Sequence, residues 1–519
     1  MDHEAPRLRL SILGIVAFSL FSVMFARLWY LQIMATDQGE IEAANNRVRV
    51  IREEAPRGRI LDARGRVLVD NRTSLVVAVD PHGLAALAEA QRADLLLRLA
   101  TELTRSGAPT KVAALERRLA DPQYSPLQPV PVAIDVPDDL MIFLAERADD
   151  FPAVRVQRQT VRRYPEASLA AHVVGYVGRI SEPELAAHSA VKAGGAQPLK
   201  PYEPDSTIGK TGIERSFEDD LRGIPGQRVV EVDRNGAVVR ELEGQRQLPE
   251  PGNDVQLSID LDVQRSTEQS LQHNLEELRG STTDQMVAAK AGSAVVLDPR
   301  TGNVVAMASY PTYDPTEFVN GISSDRYQQL VGGPGSANPL TNRAVAGLYA
   351  PGSTFKLITA YAGLSDGIVR PDETVNDNGV YVVGNRPFRN AKNEVHGPVN
   401  LSRAITVSSD VYFYRLGDIF WKDHDQPGVG DGIQDAARAF GFGAPTGVQL
   451  LDEAKGLVPD PVWKQQTFDA LPEDQKRNGD GRWYGGDSAN LAIGQGDMLA
   501  TPLQLANSYA TFAAHGVRH

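Results

Sequence analysis

The chain has 519 residues, enough for two or three domains, and its 42% hydrophobic and 23% charged content is that of a globular protein. A formal net charge of −13 argues against nucleic acid as a partner, because such binding needs a basic face. The absence of cysteine rules out disulfides, thiolate metal sites and cysteine nucleophiles together.

From Leu10 to Ala26 no residue is charged, and Arg27, Trp29 and Tyr30 follow. A membrane span needs about 20 apolar residues, reached here if Arg27 snorkels to the interface where Trp29 and Tyr30 form a belt. Arg7 and Arg9 precede the run; Asp37, Glu40 and Glu42 follow it. The expectation is an uncleaved single-pass anchor with the body outside the cytoplasm. Asp62-Ala63-Arg64-Gly65 reads as a turn between two short strands, and His82–Leu119 as helical. Short strands and turns alternate to about Leu242. The Pro- and Gly-rich stretch Gly244–Asp254 is the best linker candidate.

Beyond it, Asp254–Asp260 reads as a strand and Leu261–Gly280 as a helix. Two apolar runs around Pro299-Arg300-Thr301-Gly302-Asn303 read as a hairpin. Helical segments follow. Strand, long helix, hairpin and helical cluster predict an α+β or α/β domain with a mostly antiparallel sheet.

S-x-x-K occurs twice, so the pattern alone decides nothing. Ser189–Lys192 lies in a helical run that ends in Gly-Gly, the setting of a surface helix terminus. Ser353–Lys356 follows Pro351-Gly352 and opens an apolar periodic segment. Ser353 then sits at a helix start, where free N–H groups favour developing negative charge, with Lys356 one turn on as a desolvated base. The bland alternative is a capping serine and a surface lysine. Ser408-Ser409-Asp410 falls between two apolar periodic segments and suits a shuttle, while Ser488-Ala489-Asn490 is a competing match to S-x-N. K-T-G occurs once, at Lys210-Thr211-Gly212, ahead of Ser353 rather than after it.

Several long segments in order carry a resemblance: "PRGRILDARGRVLVDN", "RRYPEASLAAHVVGYVG", "GKTGIERSFEDDLRGIPG", "VVLDPRTGNVVAMASYPTYDP", "NRAVAGLYAPGSTFK" and "AIGQGDMLATPLQLA". The sequence resembles a class B penicillin-binding protein of the elongation (penicillin-binding protein 2) branch over nearly its whole length. The resemblance implies an α+β chain: a cytoplasmic tail (1–9), a transmembrane anchor (10–32), a mixed pedestal (33–250), then a transpeptidase domain (255–519) with an antiparallel sheet and a helical cluster. It implies D,D-transpeptidation of peptidoglycan stem peptides without a cofactor. Ser353 is then the nucleophile, Lys356 its base, Ser408 the proton relay and Asp410 the group that orients Lys356. Expected partners are donor and acceptor stem peptides, β-lactams, the membrane and a polytopic SEDS-family glycosyltransferase, with Arg57 and Arg66 of the pedestal as candidate contacts. Alternatives are a division-type transpeptidase, a D,D-carboxypeptidase or β-lactamase, and a non-catalytic regulator of the glycosyltransferase. In the family a K-[ST]-G follows the second motif. None follows Ser408 here, so a truncated domain with slow or no acylation is the expectation.

Overall fold

The computed structural model describes residues 5–29, 48–121, 124, 129–189, 200–232, 238–242, 244–280, 289–319, 321–333, 337–423, 431–476 and 479–519. Tyr30, Asp37, Glu40, Glu42 and Lys192, all used in the sequence reading, lie outside them.

The N-terminal run is helix α1 (Ala5–Trp29). Its large side chains face outward, with Phe18, Phe21 and Phe25 each more than 70% exposed. Among the described residues no helix is long and apolar enough to cross a membrane, and the described side chains of α1 begin at Gly14.

The next part is built on strands β1 (Val48–Glu53), β2 (Ile60–Leu61), β3 (Val67–Val79), β4 (Val130–Ile134) and β5 (Val154–Arg163). The expected turn closes through Gly65 N–H donating to Asp62 O at 3.0 Å, with Gly65 at φ +79°. Strand β3 has apolar runs at Val67–Val69 and Leu75–Val79 around a polar middle, Asp70–Ser74. It pairs antiparallel with β5 from Asp70↔Arg163 to Val79↔Val154, and with β4 near its end. Helix α2 (Glu89–Arg105) lays Leu95, Leu96, Leu99 and Leu103 against Val77, Val79 and Phe151, as the 3–4 spacing of its leucines requires. Smaller pairs follow: β6 (Val177–Arg179) with β7 (Thr207–Gly209), and β8 (Gly226–Val232) with β1 and β9 (Val238–Glu241).

The Lys210-Thr211-Gly212 triplet leads into the short helix Gly212–Ser216. Lys210 Nζ pairs with Glu184 at 2.5 Å. Two residues on, Glu214 is fully buried, with Arg162 at 2.6 Å and Arg57 at 2.8 Å; Arg57 also meets Glu218 at 2.9 Å. This corrects the reading of Arg57 as a partner contact: its guanidinium is a buried counter-ion. Arg66 is engaged likewise, with Asp62 at 2.8 Å and Asp262 at 2.9 Å.

The Gly244–Asp254 stretch is not a free linker. Gln247 exchanges two hydrogen bonds with Gln227, and Glu250 two with Ile224. Strand β10 (Val255–Gln256) then adds in parallel to β2. A single apolar cluster joins Ile60, Val69, Tyr164 and Ile213 to Ile259, Met307, Val345 and Leu503, so the two halves share a core.

In the second half, helix α3 (Leu261–Gly280) packs on the antiparallel hairpin of β11 (Gly292–Leu297) and β12 (Val304–Tyr310). Gln264, fully buried on α3, donates to Met307 O at 2.8 Å and accepts from Met307 N–H at 2.7 Å. The sheet expected here is, among the described residues, this two-stranded ribbon. A helical cluster follows: α4 (Lys356–Ser365), α5 (Asp410–Lys422), α6 (Gly485–Ala492) and α7 (Pro502–Ala513). Between α4 and α5 lie two small antiparallel pairs, β13 (Val375–Asp377) with β16 (Gly397–Val399), and β14 (Val380–Val383) with β15 (Arg386–Arg389). Helices α5 and α6 cross closely because residue 417 is glycine: a Cβ there would lie 2.5 Å from Ser488 O.

Candidate active site

The turn carrying Ser353 is a 3-10 helix, Gly352–Phe355, from which α4 continues. The expected α-helical start is thus tightened by one turn, with Lys356 N–H donating to Ser353 O. Ser353 is exposed, while Phe355 and Lys356 on the same turn are buried. The bland alternative for Lys356, a surface lysine, fails: it is only 2% exposed.

Its amine donates to Asp410 Oδ1 at 2.6 Å, Ser408 O at 2.7 Å and Ser408 Oγ at 3.0 Å. These contacts use all three donors of an ammonium. Burial pulls the Lys356 pKa down, and the carboxylates of Asp410 and Asp377 pull against it; the net shift is downward. A lysine so placed is nearer to losing its proton than one in water, as a base must be.

Ser408 and Asp410 sit where the helix Leu401–Thr406 ends and α5 begins. Ser408 is exposed and left-handed, φ +56°, a conformation that strains a non-glycine residue and clusters at functional sites. Buried Ser409 caps α5, accepting from Tyr412 N–H at 3.1 Å. Asp410 accepts a further hydrogen bond from Ala391 N–H on Oδ2 at 3.2 Å.

The competing Ser488 is buried and accepts from Trp483 Nε1 at 2.8 Å, a packing contact. Ser189 ends a helix of the first half (Glu182–Ser189).

Residues that the motif search missed fix the Ser353 turn. Gly352 N–H donates to Gly494 O at 2.8 Å, Thr359 Oγ1 to Ala492 O at 2.8 Å, and Tyr509 OH to Thr354 O at 2.9 Å. Gly494 lies within "AIGQGD", so the signal was present, although its physical reason was not.

A family model for the penicillin-binding protein dimerisation domain matches residues 52–257, and one for the penicillin-binding protein transpeptidase domain matches 292–519. The peptidoglycan D,D-transpeptidase MrdA of Escherichia coli K12 is 31% identical over 513 residues, 98% of this chain and 72% of that protein. The chain belongs to the penicillin-binding protein family. The MrdA of Acinetobacter baumannii is 34% identical over 508 residues, 97% of this chain and 66% of that protein, so the chain spans about two thirds of that relative's length. Among solved structures, the complex of penicillin-binding protein 2 with MreC from Helicobacter pylori superposes with a TM-score of 0.69 at 27% identity, covering 90% of this chain and 77% of that one. A peptidoglycan synthase complex that coordinates polymerisation and crosslinking superposes at 0.63 with 30% identity, covering 97% and 77%. This penicillin-binding protein thus groups with elongation-type D,D-transpeptidases in sequence and in fold.

Proposed function

We propose that the protein is a serine acyl-transferase that cross-links peptidoglycan stem peptides during cell elongation and is acylated by β-lactams. The observation that carries this reading is the buried Lys356 amine, shared between Ser408 and Asp410 one turn after an exposed serine. Ser353 Oγ attacks the carbonyl between the terminal D-alanines of the donor. Lys356, neutral when it acts, takes the serine proton. Ser408 relays a proton to the leaving amine, and Asp410 orients Lys356. Ser353 N–H offers one oxyanion donor, worth roughly 3 kcal/mol by analogy with other acyl-transfer enzymes. The amine of a neighbouring strand then displaces Ser353 and forms the cross-link.

The apolar run of α1, exposed on all its described bulky side chains, supports a single-pass anchor in the cytoplasmic membrane with the rest of the chain outside. Protease added to spheroplasts should digest the body of the protein and spare its first residues. A docking role of the first half toward a polytopic SEDS-family glycosyltransferase is in line with the relative solved within a synthase complex.

Labelling with a fluorescent penicillin followed by intact mass spectrometry tests the chemistry. One adduct is expected, lost in Ser353→Ala and kept in Ser189→Ala. An adduct that survives Ser353→Ala removes Ser353 from the mechanism.

A further inference from the structure

Asp377, at the end of β13, is fully buried, and every partner it has among the described residues is a neutral donor. Its Oδ1 accepts from Gly379 N–H at 2.8 Å, its Oδ2 from Ser409 Oγ at 2.6 Å, and both oxygens meet Asn390 Nδ2 at 2.9 Å. A buried carboxylate without a touching cation is costly and persists where its hydrogen bonds are complete. These bonds converge on the catalytic segment from two sides. Ser409 is the residue between Ser408 and Asp410. Asn390 accepts from Val411 N–H on Oδ1 at 3.0 Å, which fixes the residue after Asp410. The next residue in the loop is Ala391, whose N–H donates to Asp410. That loop carries two successive left-handed non-glycine residues, Lys392 at φ +53° and Asn393 at φ +58°, and Asn390 Nδ2 closes it through Glu394 O at 2.9 Å.

We propose that Asp377 is a positioning residue of the acyl-transfer site: through Ser409 and Asn390 it fixes Ser408 in its left-handed conformation and aims the Asp410 carboxylate at Lys356. This rests on the acyl-transfer reading above. Asp377 touches no reacting atom, so its effect runs through the geometry of Ser408 and Asp410 and through its charge. The charged groups acting on Lys356 are Asp410, in contact, and Asp377 behind it. On the other elements packed against α4, Arg403 is exposed, and Asp435 and Arg438 pair with each other at 3.3 Å.

Two substitutions separate geometry from charge. Asp377→Asn keeps the size; with its amide oxygen at the Oδ1 position and the Ser409 hydroxyl turned to accept, it keeps the contacts to Gly379 and Ser409 and one of the two to Asn390, and it removes the charge. Asp377→Ala removes both. The readout is the second-order rate of fluorescent-penicillin labelling of the full-length protein against pH, normalised to the labelled end point so that unfolded molecules do not count. Asp377→Asn should reach a plateau rate within a few-fold of the parent, while its acid limb moves to lower pH by on the order of half a unit, because Lys356 has lost an opposing negative charge. Asp377→Ala should label about 100-fold more slowly, the cost of a misplaced catalytic group. If Asp377→Ala does not fold, the Asp377→Asn profile decides alone. A profile superimposable on the parent's, or Asp377→Ala labelling at the parent rate, overturns the proposal. A parent extended to carry the family's K-[ST]-G that still does not label at all overturns the acyl-transfer reading instead.

Discussion

Gly494→Ala is the sharpest perturbation of the Ser353 turn that leaves every reacting group chemically unchanged. Gly494 has φ +68°, and an added Cβ would lie 2.4 Å from Gly352 O, 2.6 Å from Phe355 Cβ and 2.9 Å from Gly352 N. The left-handed backbone costs alanine about 1–2 kcal/mol. Inserting a methyl where the neighbours are backbone adds about 1–3 kcal/mol, because they cannot rotate away. The sum, about 2–5 kcal/mol, is a large share of the 5–15 kcal/mol that typically holds a domain together. Relief comes from lengthening the 2.8 Å Gly352 N–H to Gly494 O bond, which slides the Ser353 turn away from α6. A shift of about 1 Å at the nucleophile costs on the order of 100-fold in rate. The assay is penicillin labelling per folded molecule alongside thermal unfolding, with Gly486→Ala as control. A Cβ at Gly486 would meet only Phe388 Cζ, at an ordinary 3.5 Å, so that variant should label like the parent. Labelling by Gly494→Ala within a few-fold of the parent would show that this backbone contact does not set the position of Ser353.

The labelling rate should rise with pH as Lys356 loses its proton, and Asp410→Asn should shift that limb further toward acid than Asp377→Asn, since Asp410 touches the amine at 2.6 Å; an unmoved limb in Asp410→Asn would contradict Lys356 as the base. Glu214→Gln should destabilise the first half by about 3–5 kcal/mol, visible as a lower unfolding temperature and faster proteolysis, because two guanidinium groups lose a buried counter-charge. Burial alone would raise the Glu214 pKa, but Arg162 and Arg57 outweigh it and hold it low. Its stabilisation is therefore full above the ordinary carboxylate pKa and lost as pH falls through the depressed folded value, and the Gln variant should show a flatter acid unfolding profile. Ser488→Ala should cost about 1–3 kcal/mol from the orphaned Trp483 Nε1 yet leave labelling of folded protein intact; loss of labelling there would favour Ser488 over Ser408.

What could be read from the sequence was what short range determines. The hairpin around Asp298–Asn303, the helix Leu261–Gly280 and the strand-like starts at Ile60 and Val67 follow from local periodicity and turn chemistry. Ser353, Lys356, Ser408 and Asp410 stood out because two short motifs at helix starts carry them. Composition misled at Gly244–Asp254, where glycine marks close approach rather than a free chain: a Cβ at Gly252 would lie 1.9 Å from Leu221 O. The contact expected at Arg57 was set aside by long range, since its partner Glu214 lies 157 residues away. Asp377 and Asn390, and the physical reason for Gly494, were out of reach for the same reason. Their roles rest on contacts across the fold, and no short motif carries them.

The hydrogen bonds of Lys356 also discriminate among the groups around it. An ammonium donates three times; a neutral amine donates twice and offers a lone pair. When Lys356 is neutral, one of its three acceptors must therefore withdraw or reverse. The Asp410 carboxylate and the Ser408 carbonyl can only accept. Of the three, the Ser408 hydroxyl alone can turn and donate to the lone pair, across the 3.0 Å it already spans. Loss of the lysine proton thus couples to rotation of the Ser408 O–H, and in the proposed mechanism the exposed face of Ser408 is the route by which a proton reaches a leaving amine. Asp410 stays a fixed acceptor throughout. In the proposed mechanism it orients the amine, and only Ser408 can relay.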